Sequence, residues 1–323
     1  MSPEQAVANP TQQSLLGEVY DDEFLSECYE QMLAGNVYDS MNALLKNMND
    51  RQLASSVPEW KGFVDYCMIH PICRLVHQDP ITRRAYEKPR GYAGDAVLLD
   101  YIYDVEEGHR PPGDLSELSR ELLDYSRQTD ACKGVRARAI RIGRLVDQVV
   151  SERCKPDVLS VAAGHMREAG RSEALKQNRI GRWIALDSDA KSLQETRRCY
   201  SLYGVETVAA SVRRMLSGRL ALGDFDLIYS TGLYDYLQQP LGRRLTRKLF
   251  EMLRPGGRLL VANFLAGIPS RGYMDSFMDW ILIYRDHNQM RDLTADIDPD
   301  EIADATLSED PHGHIVFLLL ERR

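Results

Sequence analysis

The first third of the chain is patterned for helices. From about Asp22 to Leu33 apolar side chains recur at helical spacing, at Phe24, Leu25, Cys28, Tyr29, Met32 and Leu33, and Gly35 stands where such a helix would end. The spacing returns in Met41–Met48, Trp60–Ile69 and Ile72–Val76, broken at Pro58, Pro71 and Pro80, and no alternating run occurs before about residue 110. The polar start, MSPEQAVANPTQQ, is expected to fray, and Arg110-Pro-Pro-Gly-Asp114 to turn or divide the chain. Two more helices are predicted, near Ser116–Arg127 and over Cys132–Val150. The second carries Val135, Ala139, Ile142, Val146 and Val149 along one face.

Beyond residue 150 the texture changes. Short aliphatic runs, Val158–Val161, Trp183–Leu186, Thr207–Ala209, Phe225–Tyr229 and Leu259–Ala262, alternate with stretches long enough for a helix, which describes five parallel strands. Thr306-Leu307 and His314–Leu320 flank the turn-rich Glu309-Asp-Pro-His-Gly313 and predict an antiparallel hairpin closing the sheet. The expected fold class is α/β: a Rossmann-like parallel sheet with a C-terminal antiparallel hairpin, preceded by an all-helical N-terminal lid. At 323 residues the chain is long for one core, given a usual domain of about 150 residues. The expected division is a helical lid and substrate region over 1–130 and a cofactor-binding Rossmann-like domain over 131–323.

Charge and composition narrow the partners. A net charge of −8 and a pI near 5.5 argue against nucleic acid or an anionic membrane, which are met with Lys/Arg excess, and favour a small-molecule substrate. The six cysteines, Cys28, Cys67, Cys73, Cys132, Cys154 and Cys199, form no CxxC pair and predict neither a zinc knuckle nor a disulfide framework. The start lacks the basic and apolar regions of a signal peptide, and the longest apolar run, Ile315–Leu320, is too short to span a bilayer. A cytoplasmic protein without membrane insertion is expected. His312 and His314 flank a hairpin glycine, and His70 and His77 are separated by Pro71, so no metal site is expected. The oligomeric state leaves no trace in the sequence.

Four motifs follow one another in the second half. Val158-Leu-Ser-Val-Ala-Ala-Gly-His-Met-Arg-Glu168 is a strand and the turn after it, where backbone can approach a cofactor closely; Ala162 stands where a glycine is common, and Gly164 remains. Asp187 ends the second strand 23 residues after Gly164, where a carboxylate can accept ribose hydroxyls or cap the next helix, a duty Asp189 can also fill. Phe225–Tyr236 carries a fourth strand into a polar and aromatic loop. Leu253-Arg-Pro-Gly-Gly-Arg-Leu-Leu-Val-Ala-Asn263 reads as helix end, turn and fifth strand, its glycines serving the turn.

In this order the motifs resemble those of the class I S-adenosyl-L-methionine (SAM) methyltransferases. Lys88-Pro-Arg-Gly-Tyr-Ala-Gly-Asp95 with Tyr101-Ile-Tyr103, Arg167-Glu168, Gly232–Tyr236 and Met278–Arg285 together resemble a bacterial helical-lid family that includes the enzyme forming the methyl ester of 3-hydroxypalmitic acid. The resemblance implies SAM as cofactor and methyl transfer to a small or fatty-acid-like acceptor, a carboxylate above all, in secondary metabolism. It implies a cofactor site drawn from Tyr92, Ala163, Gly164, Arg167, Asp187, Ser211, Ser230 and Thr231.

A carboxylate acceptor is ionised at neutral pH and needs no base, whereas a hydroxyl or amine would, and His165, Tyr234 and Asp235 are the candidate catalytic groups. A sulfonium is also attracted to aromatic faces, which Tyr92, Tyr101, Tyr103, Tyr234 and Tyr284 offer. Tyr101, Tyr103 and Tyr284 lie in apolar runs and read equally as packing. Arg90, Arg167, Glu168 and Asp95 can clamp a zwitterionic methionine end or join into internal salt bridges. Two other outcomes stay open. The altered turn and the many tyrosines suit a SAM-cleaving cyclase or lyase of the azetidine-2-carboxylate kind, which releases methylthioadenosine, and they suit a non-catalytic SAM-binding regulator.

Overall fold

The computed structural model describes residues 22–103, 111 and 113–323. The polar start lies outside the described residues, as does part of the expected turn at Arg110–Asp114. Seven strands form one sheet: β1 Asp157–Val161, β2 Arg182–Asp187, β3 Val205–Ala209, β4 Phe225–Ser230, β5 Leu253–Phe264, β6 Ile302–Glu309 and β7 Ile315–Arg322. Their order is β3-β2-β1-β4-β5-β7-β6, with β1 to β5 parallel and β7 antiparallel to both neighbours. The order reverses between β1 and β4, so a crevice opens beyond the carboxyl ends of those two strands. This is the Rossmann-like sheet of the class I methyltransferase fold, with the expected C-terminal hairpin.

The described residues divide into two compact units. One is helical and comprises 22–93, 113–127 and Pro269–Ile281; the other holds the sheet and comprises 94–103, Gln128–Ile268 and Leu282–Arg323. In the helical unit, Asp22 caps Glu23–Leu33 by accepting from the Leu25 amide, and Gly35 in the left-handed region follows its end. Prolines read as breaks open helices instead. Pro58 lies in the first turn of Val57–Ile69, and Pro80 in that of Pro80–Glu87, where its missing N–H is no loss. The helix Arg271–Phe277, drawn from the link between β5 and β6, packs on Val37–Ala54, and a Cβ on Gly272 would collide with the Met48 carbonyl.

In the sheet unit, Asp130–Glu152 is capped by Thr129 and leads into β1. One face of the sheet buries Leu159, Ile184, Ile228, Val261 and Leu318 against Leu245, Leu249 and Phe250 of the helix Gln239–Glu251. Each such side chain is worth about 1.5–3 kcal/mol of burial. The expected turn in Leu253–Asn263 is a bulge within β5: Phe225 pairs with Leu253, Leu227 with Arg258, and the residues between loop out. A Cβ on Gly257 would stand 2.8 Å from the Arg254 carbonyl, so only glycine fits there. The six cysteines are free thiols, and among the described residues no helix is long and apolar enough to cross a membrane.

Candidate functional site

The turn after β1 is built from alternating left-handed residues: Ala162 (φ +56°), Gly164 (φ +56°) and Met166 (φ +55°). For alanine and methionine that conformation costs roughly 1–2 kcal/mol each, so neighbouring bonds must hold it. They are present. The Ala163 amide donates to the Leu186 carbonyl (3.1 Å), the Gly164 amide to Asp187 Oδ2 (2.8 Å), and Thr196 Oγ1 to the Gly164 carbonyl (3.0 Å). Asp187 Oδ1 accepts from the Asp189 amide (2.8 Å), so this carboxylate ties the ends of β1 and β2 together. Burial pushes its pKa up, against the pull of those amides.

Over this turn lies the helix Ala96–Tyr103, whose start Asp95 caps by accepting from the Val97 and Leu98 amides. It presents one charge, Asp100, to that turn. Arg167 Nε donates to Asp100 Oδ1 and Arg167 Nη2 to Oδ2, both at 2.8 Å, while His165 Nδ1 stands 2.7 Å from Oδ2. Arg167 also reaches Glu195 (2.8 Å) and Cys199 Sγ (3.2 Å). Burial works to raise the Asp100 carboxyl, but the bonds from Arg167 and His165 outweigh it and hold its pKa below the ordinary value. Nearby, Tyr229 donates its hydroxyl to Glu168 (2.7 Å), whose pKa burial pushes up, and Arg138 donates to the Thr231 carbonyl.

These groups enclose a cavity of about 50 Å³, bounded by Ala96, Asp100, Tyr103, Arg138 and the turn itself. The donor set suits an adenosyl cofactor, with a buried acid ending β2 and an arginine beside the turn. The space does not, because pockets for ligands of that size run to about 300–1,000 Å³. The glycine that would let a cofactor approach gives room to a helix here: a Cβ on Gly164 would stand 3.3 Å from Ala96 Cβ.

The structure thus gathers Ala163, Gly164, His165, Arg167 and Thr231 around one cavity, with Asp187 and Ser230 bonded to the same turn, Ser230 Oγ donating to the Val161 carbonyl (3.0 Å). Tyr234 and Asp235 sit in a second network at the end of β4. The Tyr234 hydroxyl meets Thr246 Oγ1 (3.0 Å), and Asp235 Oδ1 accepts from the Phe264 amide (2.8 Å). Burial raises the Asp235 pKa to about 6. Beside them Arg285, 1% exposed, donates to the Tyr234 carbonyl (2.7 Å), Gln239 Oε1 (2.8 Å), the Leu237 carbonyl and Asn263 Oδ1. Ser211 is exposed and caps Val212–Leu216 by accepting from the Arg214 amide (3.3 Å), and Tyr92 belongs to the helical unit. Sequence reasoning missed Asp100 and Arg138, and met Arg285 only as the end of the Met278–Arg285 motif, with no role. The available signal for Asp100 was a lone carboxylate within the apolar run Ala96-Val-Leu-Leu-Asp-Tyr-Ile-Tyr103.

No family model matches the chain, and no curated protein matches it. Solved structures do. A possible exported protein from Bordetella parapertussis is 16% identical, with a TM-score of 0.60 over 98% of this chain and 99% of that one. Magnesium protoporphyrin IX methyltransferase from Synechocystis PCC 6803, with bound S-adenosylhomocysteine, is 12% identical, with a TM-score of 0.48 over 75% of this chain and 98% of that one. The N-methyltransferase NodS from Bradyrhizobium japonicum WM9 is 13% identical, with a TM-score of 0.41 over 56% of this chain and 85% of that one. At such identities likeness speaks for fold alone.

Proposed function

We propose that the protein is a SAM-dependent methyltransferase acting on a small or fatty-acid-like acceptor, a carboxylate above all. The observation that carries this reading is the bond between Asp187 and the Gly164 amide. It sets a buried acid at the end of β2 against the glycine of the first turn, beside the point where the strand order reverses. Ala163, Gly164, Arg167, Asp187, Ser230 and Thr231 are assigned to the cofactor side of that crevice, and His165 to its reactive edge. Tyr92 and Ser211 remain proposed contacts, as do Tyr234 and Asp235 as proposed acid–base groups. A carboxylate acceptor suits a turn whose charged groups are already bonded to one another, since no proton has to be removed from it at neutral pH.

The departure in the first turn, where Ala162 takes the left-handed conformation at a position where a glycine is common, supports a second reading, a SAM-binding regulator without turnover. Incubating the purified full chain with SAM and a panel of acyl and aryl carboxylic acids, followed by mass spectrometry, separates the two. Methyl ester with equimolar S-adenosylhomocysteine is the expected result. Methylthioadenosine from SAM alone would move the assignment to intramolecular cleavage, binding without product would favour the regulator, and no binding by calorimetry would end all three.

A further inference from the structure

The charged cluster over the first turn has the form of a ligand site already filled. Arg167 offers Asp100 its Nε and Nη2 as a fork, the geometry in which a guanidinium takes any carboxylate, and His165 adds a third donor to the same group. Asp100 reaches them on a helix of eight residues, too short to be stable without its packing, which also buries Leu98, Tyr101, Ile102 and Tyr103 and is tied by Arg136, whose Nη1 donates to the Ile102 carbonyl (3.2 Å), and by the bond between Tyr103 and Arg138. The same helix sets Ala96 against Gly164 and leaves about 50 Å³ where a cofactor would lie.

Resting on the methyltransferase reading, we propose that Asp100 is an internal stand-in for the carboxylate of a ligand's amino-acid end, and that Ala96–Tyr103 leaves the first turn when such a ligand binds. The exchange balances in charge. One carboxylate leaves Arg167 for water, another takes its fork, and Glu195 stays bonded to Arg167 throughout. Since the carboxylates swap like for like, the remaining contacts of the ligand, set against the packing and the Arg136 and Arg138 bonds that the helix gives up, decide which state is populated. The apparent affinity is the intrinsic one reduced by the fraction of molecules in which the helix is off the turn. The protein therefore prefers ligands that keep an amino-acid carboxylate over those that have lost it.

Calorimetric titration of the full chain with S-adenosylhomocysteine and with methylthioadenosine, which lacks the amino-acid arm, tests this in wild type, Asp100→Asn and Asp100→Ala. S-adenosylhomocysteine should bind both variants about tenfold or more tighter than wild type, with a smaller gain for methylthioadenosine. Hydrogen exchange on the wild type gives an independent readout: the amides of 97–103 should lose protection when S-adenosylhomocysteine is added. Equal or weaker binding by folded variants overturns the proposal while leaving the methyltransferase reading intact, and so does an equal gain for both ligands. Added protection of 97–103 also overturns it, and that measurement decides alone if the variants do not fold. Failure of all three proteins to bind either ligand removes the methyltransferase reading and the proposal together.

Discussion

Two polar networks lie at the carboxyl ends of neighbouring strands, and they are built on opposite principles. At the end of β1 the partners are ionic: Arg167 holds Asp100 and Glu195, beside a cavity. At the end of β4 a buried arginine serves neutral oxygens, with Arg285 donating to two carbonyls and two side-chain amides amid the packing of Tyr234 and Leu237. An ion pair at a cavity edge can trade one carboxylate for another with little net change. A cation that satisfies four fixed oxygens has no such alternative, since each would be orphaned without it. The first network is therefore suited to exchange and the second to holding the β4 loop in shape, although both stand at an edge where binding is expected.

Removing the cation of the second network should be the most damaging change. Arg285→Ala leaves buried acceptors unpaired and a void, and a loss of about 3–5 kcal/mol is expected by chemical denaturation. Arg285→Lys should recover little of it, because an ammonium cannot present the planar fork. Full recovery by lysine would show that charge alone matters there and would erase the contrast with Arg167.

Asp235 provides the next effect, through pH. Its pKa is about 6 in the folded protein and near 3.8 when unperturbed, so the folded state binds its proton more tightly. That stability is complete below about pH 4 and is lost as pH rises through about 6, each tenfold difference in proton affinity being worth roughly 1.4 kcal/mol. Asp235→Asn does not titrate, so thermal unfolding across pH 4 to 7 should show the variant gaining on wild type by the order of 2 kcal/mol as pH rises. A constant difference would place Asp235 in contact with water or with a closer cation.

Much of this was legible in the sequence. The parallel strands β1 to β5 each contain a short aliphatic run between helical stretches, and the turn-rich Glu309–Gly313 marks the closing hairpin. That Gly164 and Asp187 stand at the ends of adjacent strands follows from motif spacing, whereas the bond between them, in place of a helix cap or a ribose contact, does not. Asp100 was not legible in this way: its partners are 65 and 67 residues distant, and an apolar run with one charge names no partner. Nor does periodicity reveal Ala96–Tyr103, which is apolar on nearly every side. The segment Pro269–Ile281 lies in chain order between β5 and β6, yet it folds with the helical unit, where Gly272 meets the Met48 backbone. Contacts between distant segments depend on shape, which hydrophobic spacing does not record.

The smallest expected effect bears most directly on the contrast between the networks. Thr246 Oγ1 donates to the Gly242 carbonyl (2.9 Å), so its proton is committed and the Tyr234 hydroxyl must be the donor in the bond between them. Tyr234→Phe then removes one donor and leaves only a lone pair on Thr246 unfilled, a loss of about 1 kcal/mol. A double-mutant cycle with Thr246→Val isolates the pair, and a coupling of about 0.5–1 kcal/mol is expected. Such a value makes the hydroxyl part of the fixed architecture at the end of β4 and leaves Asp235 as the acid–base candidate there. A coupling near zero would mean that the hydroxyl is not held by Thr246 and is available for the acid–base role, and the β4 end would then be no more fixed than the β1 end.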